Sequence, residues 1–189
     1  QAREHQLFYI TPNSLYLNES GAYALSNTIT VKNDPKGWFE FNNEKHIRLS
    51  ELDVILMRQD PPFNSNFIYN TYVLESAERE GVLVVNKPAS LRDCNEKVFA
   101  TEFPECCTPF LVSSEASLLK SFIEDHKDTV IKPLDGMGGS SIFRLRNTDP
   151  NLNVILETIT DSFMTKVMIQ TYIPEIADGD KRILLINGI

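Results

Sequence analysis

The sequence predicts an α/β protein in two parts, and three observations carry that prediction. Strand-like apolar runs alternate with helix-like stretches from residue 1 to about 90, while the remainder is richer in strands. A strand ending in lysine, Val130-Ile131-Lys132-Pro133, runs into the glycine-rich loop Leu134-Asp135-Gly136-Met137-Gly138-Gly139, and Ile142-Phe143-Arg144-Leu145 reads as a strand leaving it. The apolar run 52–57 is nearly unbroken, as expected of a parallel strand covered on both faces.

Taken in order, Ala2-Arg3-Glu4 resembles the tail of a helix entering a strand at 7–10. The strand at 52–57 ends at Arg58-Gln59-Asp60-Pro61-Pro62, and Ser65 is placed to cap a helix with Tyr69, Val73, Leu74 and Ala77 on one face. Gly81 stops that helix, and 82–86 forms the next buried strand, closed by Lys87-Pro88. This is a βαβ unit. Arg58, Asp60 and Asn86 fall at the carboxyl ends of its strands, where open α/β sheets bind ligands, although ordinary loop polarity accounts for them equally well.

A domain junction is expected near residue 90, giving domains 1–90 and 91–189. A helix from Ser90 carries Leu91, Cys94, Val98 and Phe99 inward; a strand follows at 108–112, then a helix capped by Ser113 or Ser114 with Leu118, Leu119, Phe122 and Ile123 as its buried stripe. After the strand at 129–133 and its loop, Pro150 opens a helix with a face of Val154, Ile155 and Ile159. A strand at 167–174 runs into a linker. The turn Asp178-Gly179-Asp180-Lys181-Arg182 feeds a final strand at 183–186, whose hairpin turn Asn187-Gly188 lacks a return strand. With Gln1 in place of an initiator methionine, these ends read as those of an internal piece of a longer protein.

Lys132 and the glycines suit phosphate: glycines allow backbone N–H groups to converge on an anion, and an ammonium supplies a compact charge. A Walker loop would need lysine and Ser/Thr directly after its last glycine, and Gly139 is followed by Ser140 and Ser141. A dinucleotide fingerprint would need a helix next, where a strand is expected. The loop is therefore a hairpin flap, or else a plain glycine-rich turn.

The formal net charge of −8 argues against nucleic acid or anionic membrane as the main partner, and no run approaches the roughly 18 apolar residues of a membrane span. Three cysteines, Cys94, Cys106 and Cys107, give neither a disulfide framework nor zinc spacing, which suits a reducing cytoplasm. His5, His46 and His126 sit in unrelated polar contexts and offer no base.

Lys97 on a helix, Lys132 on a strand, the glycine hairpin, Gln170-Thr171-Tyr172-Ile173-Pro174 and Asp180-Lys181-Arg182 form an ordered set that resembles the ATP-grasp ligases. Several blocks are closer still: Asp53-Val-Ile-Leu-Met-Arg-Gln-Asp-Pro-Pro-Phe, Asn86-Lys-Pro, Ser90-Leu-Arg-Asp-Cys-Asn-Glu-Lys, Lys132-Pro-Leu-Asp-Gly-Met-Gly-Gly and Asp178-Gly-Asp-Lys-Arg resemble the bacterial glutathione synthetase family. That resemblance implies the end of a Rossmann-like domain preceding the ATP-grasp fold, followed by its smaller α+β ATP-binding lobe. It implies ATP-dependent ligation of γ-glutamylcysteine to glycine through an acyl phosphate, in a cytoplasmic homotetramer, with Trp38 and Phe39 as interface candidates.

By matching positions, the resemblance assigns ATP contacts to Lys97, Lys132, Leu134, Met137, Gly138, Gly139, Gln170, Thr171, Tyr172, Ile173 and Asp180. Gln170 to Ile173 take the role of the adenine hinge, and Arg182 faces the reacting phosphoryl or peptide carboxylate as the catalytic residue. Mg²⁺ is implied with ligands outside this segment, so no metal ligand is named. Another ATP-grasp amino-acid ligase, or a nucleotide-binding module without catalysis, fits the same residues.

Overall fold

The computed structural model describes residues 4–59, 62–181, 183–186 and 188. The chain divides into two compact units, Gln1–Asn95 and Glu96–Ile189, each with its own apolar core.

The first unit opens with an antiparallel meander of β1 (Leu7–Asn18), β2 (Gly21–Val31) and β3 (Phe39–Arg48). The alternation of strand and helix expected from residue 1 therefore begins only after β3. The deciding period is two: Ala22, Ala24 and Ser26 are buried along β2 and their neighbours are not, the pattern of a sheet with one covered face. Asn18 pairs with Gly21, and Gly21 takes φ +133° to close the turn between β1 and β2. The other face is aromatic and open; Trp38 and Phe39 are 55% and 41% exposed.

The βαβ unit follows as β4 (Val54–Leu56), α1 (Ser65–Arg79) and β5 (Leu83–Val85), with Ile55 opposite Val84 in a parallel pair. Only one face of this pair is covered. Ile55 and Val84 join Leu74, Ala77 and Ile47 in the core, whereas Leu56 and Leu83 stand 64% and 58% exposed, because among the described residues only one side carries a packed layer. Asn64, one residue before the expected cap, accepts from the Phe67 N–H at 3.0 Å. The buried stripe of α1 is Phe67, Thr71, Leu74 and Ala77, which leaves Tyr69 outside. Thr71 fits because its hydroxyl donates to the Ile68 carbonyl at 2.6 Å.

The continuous helix expected from Ser90 to Phe99 is broken. Helix α2 (Pro88–Asp93) ends at Cys94, whose ψ of 68° is not helical, and α3 (Glu96–Phe99) starts afresh. Arg92 anchors α2 to α1 through Glu75 at 3.0 Å, and Cys94, Val98 and Phe99 face outward.

In the second unit β6 (Phe110–Ser113), β7 (Asp128–Pro133), β8 (Phe143–Arg146) and β9 (Val167–Thr171) form one antiparallel sheet in the order β6-β9-β7-β8. Helices α4 (Ala116–His126) and α5 (Leu152–Ile159) bury Leu119, Ile123 and Leu156 against Ile131, Leu145, Val167 and Ile169. The α4 cap is Glu115, and Ser113 instead accepts from the Glu115 N–H at 2.9 Å. Leu118 and Val154 are 51% and 62% exposed, since each lies one step off the stripe its helix turns inward. Residues 183–186 are not a strand: all four side chains are exposed, and no described strand pairs with them.

Candidate functional site

Strand alternation decides what the second sheet presents away from its helices. Ile131, Val167 and Ile169 point into the core, so Lys132, Met168 and Gln170 face the other way. Register brings them together: Lys132 lies opposite Met168, and Phe110 opposite Gln170. This face, the loop after β7 and the segment around α3 border a cleft of about 550 Å³.

The loop joins β7 to β8, an antiparallel pair, and so has the strand–loop–strand form expected of it. Gly138 and Gly139 take φ +65° and +76°, where an L side chain is strained, and no atom lies within 4 Å of a Cβ built at either. Backbone conformation, not crowding, calls for glycine there. Gly136 differs, since its Cβ would meet Pro133 Cγ at 2.8 Å. The base of the loop is tied down by Lys97, whose Nζ donates to the Gly136 carbonyl at 2.7 Å and pairs with Glu96 at 3.0 Å.

Lys132 has no carboxylate within ion-pair distance among the described residues. Burial, and secondarily the neighbouring Lys97 charge, push its pKa below the usual lysine range, opposed by Glu96 and Cys107. A half-buried ammonium beside a second one is a site whose energy an incoming anion lowers.

A second depression of about 480 Å³ is lined by Arg144, Arg146 and residues 148–151. Its two guanidinium groups are engaged: Arg144 donates to both Asp128 oxygens, at 2.7 and 2.5 Å, and Arg146 adds a contact at 3.1 Å. The Arg144 hydrogen bond leads in lowering the Asp128 pKa to about 2. Asp128 engages both guanidinium groups and Asp149 adds a carboxylate to the lining, so the depression has less to offer an anion than the Lys132 cleft.

Of the residues singled out from the sequence, Lys97, Lys132, Met137, Gly138, Gly139, Gln170 and Ile173 line the cleft. Leu134, Thr171, Tyr172 and Asp180 do not. Thr171 turns toward His126, at 3.3 Å, and the Tyr172 ring lies under Arg144, 3.6 Å from its Cζ. Asp180 is exposed in an irregular segment, and Arg182 lies outside the described residues, as does Asp60; Arg58 and Asn86 are exposed in the other unit. The cleft also takes in Phe110, Met168, Ile142, Cys106 and Cys107, none of them singled out from sequence. Phe110 and Met168 were accessible from alternation alone, being one residue out of phase with the core positions Leu111 and Ile169.

The fold of the second unit and the lysine-and-glycine cleft define an ATP-grasp module. Residues 96–189 match the family described as prokaryotic glutathione synthetase, ATP-grasp domain. Among solved structures, the D-cycloserine synthetase DcsG superposes with a TM-score of 0.52 at 13% identity, covering 69% of this chain and 47% of that one, a likeness of fold. Residues 1–92 match the prokaryotic glutathione synthetase N-terminal domain. Glutathione synthetases of Pseudomonas putida, Vibrio cholerae and Buchnera aphidicola are 56%, 52% and 49% identical over 188 residues of this chain's 189. The chain belongs to the prokaryotic glutathione synthetase family, and it spans 59% of the length of those three relatives.

Proposed function

We propose that the intact protein is an ATP-dependent carbon–nitrogen ligase that joins γ-glutamylcysteine to glycine and releases ADP and phosphate. The observation that carries this reading is Lys132, a half-buried ammonium without a described counter-ion, facing a cleft roofed by Gly138 and Gly139 in a chain of this family. A carboxylate is a poor electrophile at neutral pH. Transfer of a phosphoryl group to the cysteinyl carboxylate supplies a leaving group, and the amine of glycine then displaces it. The protein's task is to align oxygens, offset charge and exclude water.

In this reading residues 1–90 are the α/β domain that precedes the ATP-grasp domain of 91–189. Lys132 binds the phosphates, and Lys97 holds the loop that covers them. Gln170 and Ile173 border the adenine, and Leu134, Thr171 and Tyr172 adjoin the lining residues in sequence. Asp180 serves the ribose and Arg182 the transferring phosphoryl. ATP supplies the phosphoryl group, and Mg²⁺ offsets its charge. No group of three or more His, Cys, Asp or Glu side chains able to hold a metal occurs among the described residues, and we assign the metal ligands to the remainder of the relatives' length. The protein acts in the cytoplasm as a homotetramer on small molecules; among the described residues no helix is long and apolar enough to cross a membrane.

Mass spectrometry of the product formed by the intact protein from Mg-ATP, γ-glutamylcysteine and glycine tests the assignment. The tripeptide is expected. A product with a different amine, and none with glycine, would move the protein to another ATP-grasp ligase activity.

A further inference from the structure

The cleft carries a chemistry that ligation does not use. Cys106 and Cys107 follow one another at its border, Cys106 exposed and Cys107 half-buried with its thiol 3.2 Å from the Ala100 carbonyl. Cys107 is near enough to Lys132 to act on its charge, and the same lining carries Lys97 paired with Glu96. The remaining cysteine, Cys94, belongs to the other unit.

We propose that Cys106 is a thiol–disulfide exchange site selective for anionic low-molecular-weight disulfides, and that its adduct shuts the cleft to nucleotide; the second half rests on the nucleotide reading given above. The Cys106 thiolate attacks one sulfur of RS–SR. The S–S bond of the reagent breaks, Cys106–S–SR forms, and RS⁻ leaves and takes up a proton; the protein sulfur is oxidised and the departing sulfur reduced. Exchange stops there. Cα atoms of adjacent residues are ~3.8 Å apart across a trans peptide, under the ~4.4–6.8 Å that a disulfide normally spans, so Cys107 does not readily displace the second thiol. A carboxylate on R is drawn to Lys132, the ammonium that would otherwise hold phosphate, so the adduct both fills the cleft and neutralises that charge. Exposed lysines elsewhere would not produce this preference.

The test uses the intact, reduced protein with two probes of similar size and opposite charge, dithiodiglycolate and cystamine, followed by peptide mapping and titration with ATP. The adduct is expected on Cys106, with dithiodiglycolate reacting about tenfold faster than cystamine at low salt and the gap closing at high salt. The modified protein should bind ATP at least about tenfold more weakly, dithiothreitol should restore binding, and Cys106→Ser should abolish both the reaction and its effect. Modification of Cys94 alone, or equal rates for the two probes, overturns the proposal without recourse to any variant. Unchanged ATP affinity in fully modified protein overturns the blocking role and leaves the nucleotide reading standing. Failure of the reduced protein to bind ATP at all overturns both.

Discussion

Replacing Lys132 with methionine separates stability from binding, because the two should move in opposite directions. Methionine keeps most of the stem that packs beside Met168 and removes the ammonium. In the free protein that ammonium is a burden: burial and Lys97 both hold its pKa below the usual lysine range. Its loss should leave the melting temperature unchanged or raise it. With nucleotide bound as proposed, the same charge would make a charge-assisted contact to phosphate, worth about 1.5–3 kcal/mol. At about 1.4 kcal/mol per decade, the variant should bind an ATP analogue about 10- to 150-fold more weakly. Calorimetric titration alongside thermal melting reads both quantities. A Kd within about twofold of the parent in a folded variant, at a factor far below what one charged contact supplies, would refute the placement of phosphate beside Lys132.

Other perturbations report on the loop and on charge. Gly138→Val puts a β-branched residue at φ +65°, about 1–2 kcal/mol above its relaxed conformation. The loop is expected to relieve that strain by leaving the glycine conformation, so ATP affinity should fall while stability to urea drops by no more than that amount. Only the charged form of Lys132 attracts phosphate, and its pKa is lowered; nucleotide affinity should therefore begin to fall at a pH below the ordinary lysine range, and the pH profile of Lys132→Met should be flatter there. Asp128 has its folded pKa depressed from 3.8 to about 2, so its contribution is fully present above the unfolded value and is lost as pH falls through about 2. Melting curves across that acid window should show a shallower pH dependence for Asp128→Asn.

What could be read from the sequence follows the range of the forces involved. The β7–loop–β8 unit needs only local information, since glycines free the backbone and the flanking strands pair with each other directly. Lys132 follows from alternation next to Ile131. The meander of β1 to β3 was hidden because its open face carries aromatics such as Tyr9, Phe39 and Phe41, which blur the two-residue period of Ala22, Ala24 and Ser26. Helix α2 is held to α1 by Arg92 reaching Glu75, a contact 17 residues away in sequence that no local pattern contains, and the chain leaves the helix just after it at Cys94. The expected stripes of α4 and α5 took in one residue too many each: Leu118 and Val154 point outward, while Leu119, Phe122 and Ile123, and Ile155 and Ile159, pack in the core. Thr171 and Tyr172 sat in a motif whose members Gln170 and Ile173 line the cleft, yet Thr171 turns to His126 and the Tyr172 ring is taken up by Arg144. Cys106 and Cys107 carried no spacing that pointed to a pocket; only folding brings them to its border.

The central claim is that this cleft holds the ATP of a ligase that requires both a dipeptide and glycine. Release of ADP by the intact protein with Mg-ATP, omitting γ-glutamylcysteine and glycine in turn, tests it most directly. ADP should accumulate only when both are present, and in the Lys132→Met variant only at raised ATP. ADP release that ignores both substrates, or none at all from protein that binds ATP, would contradict it.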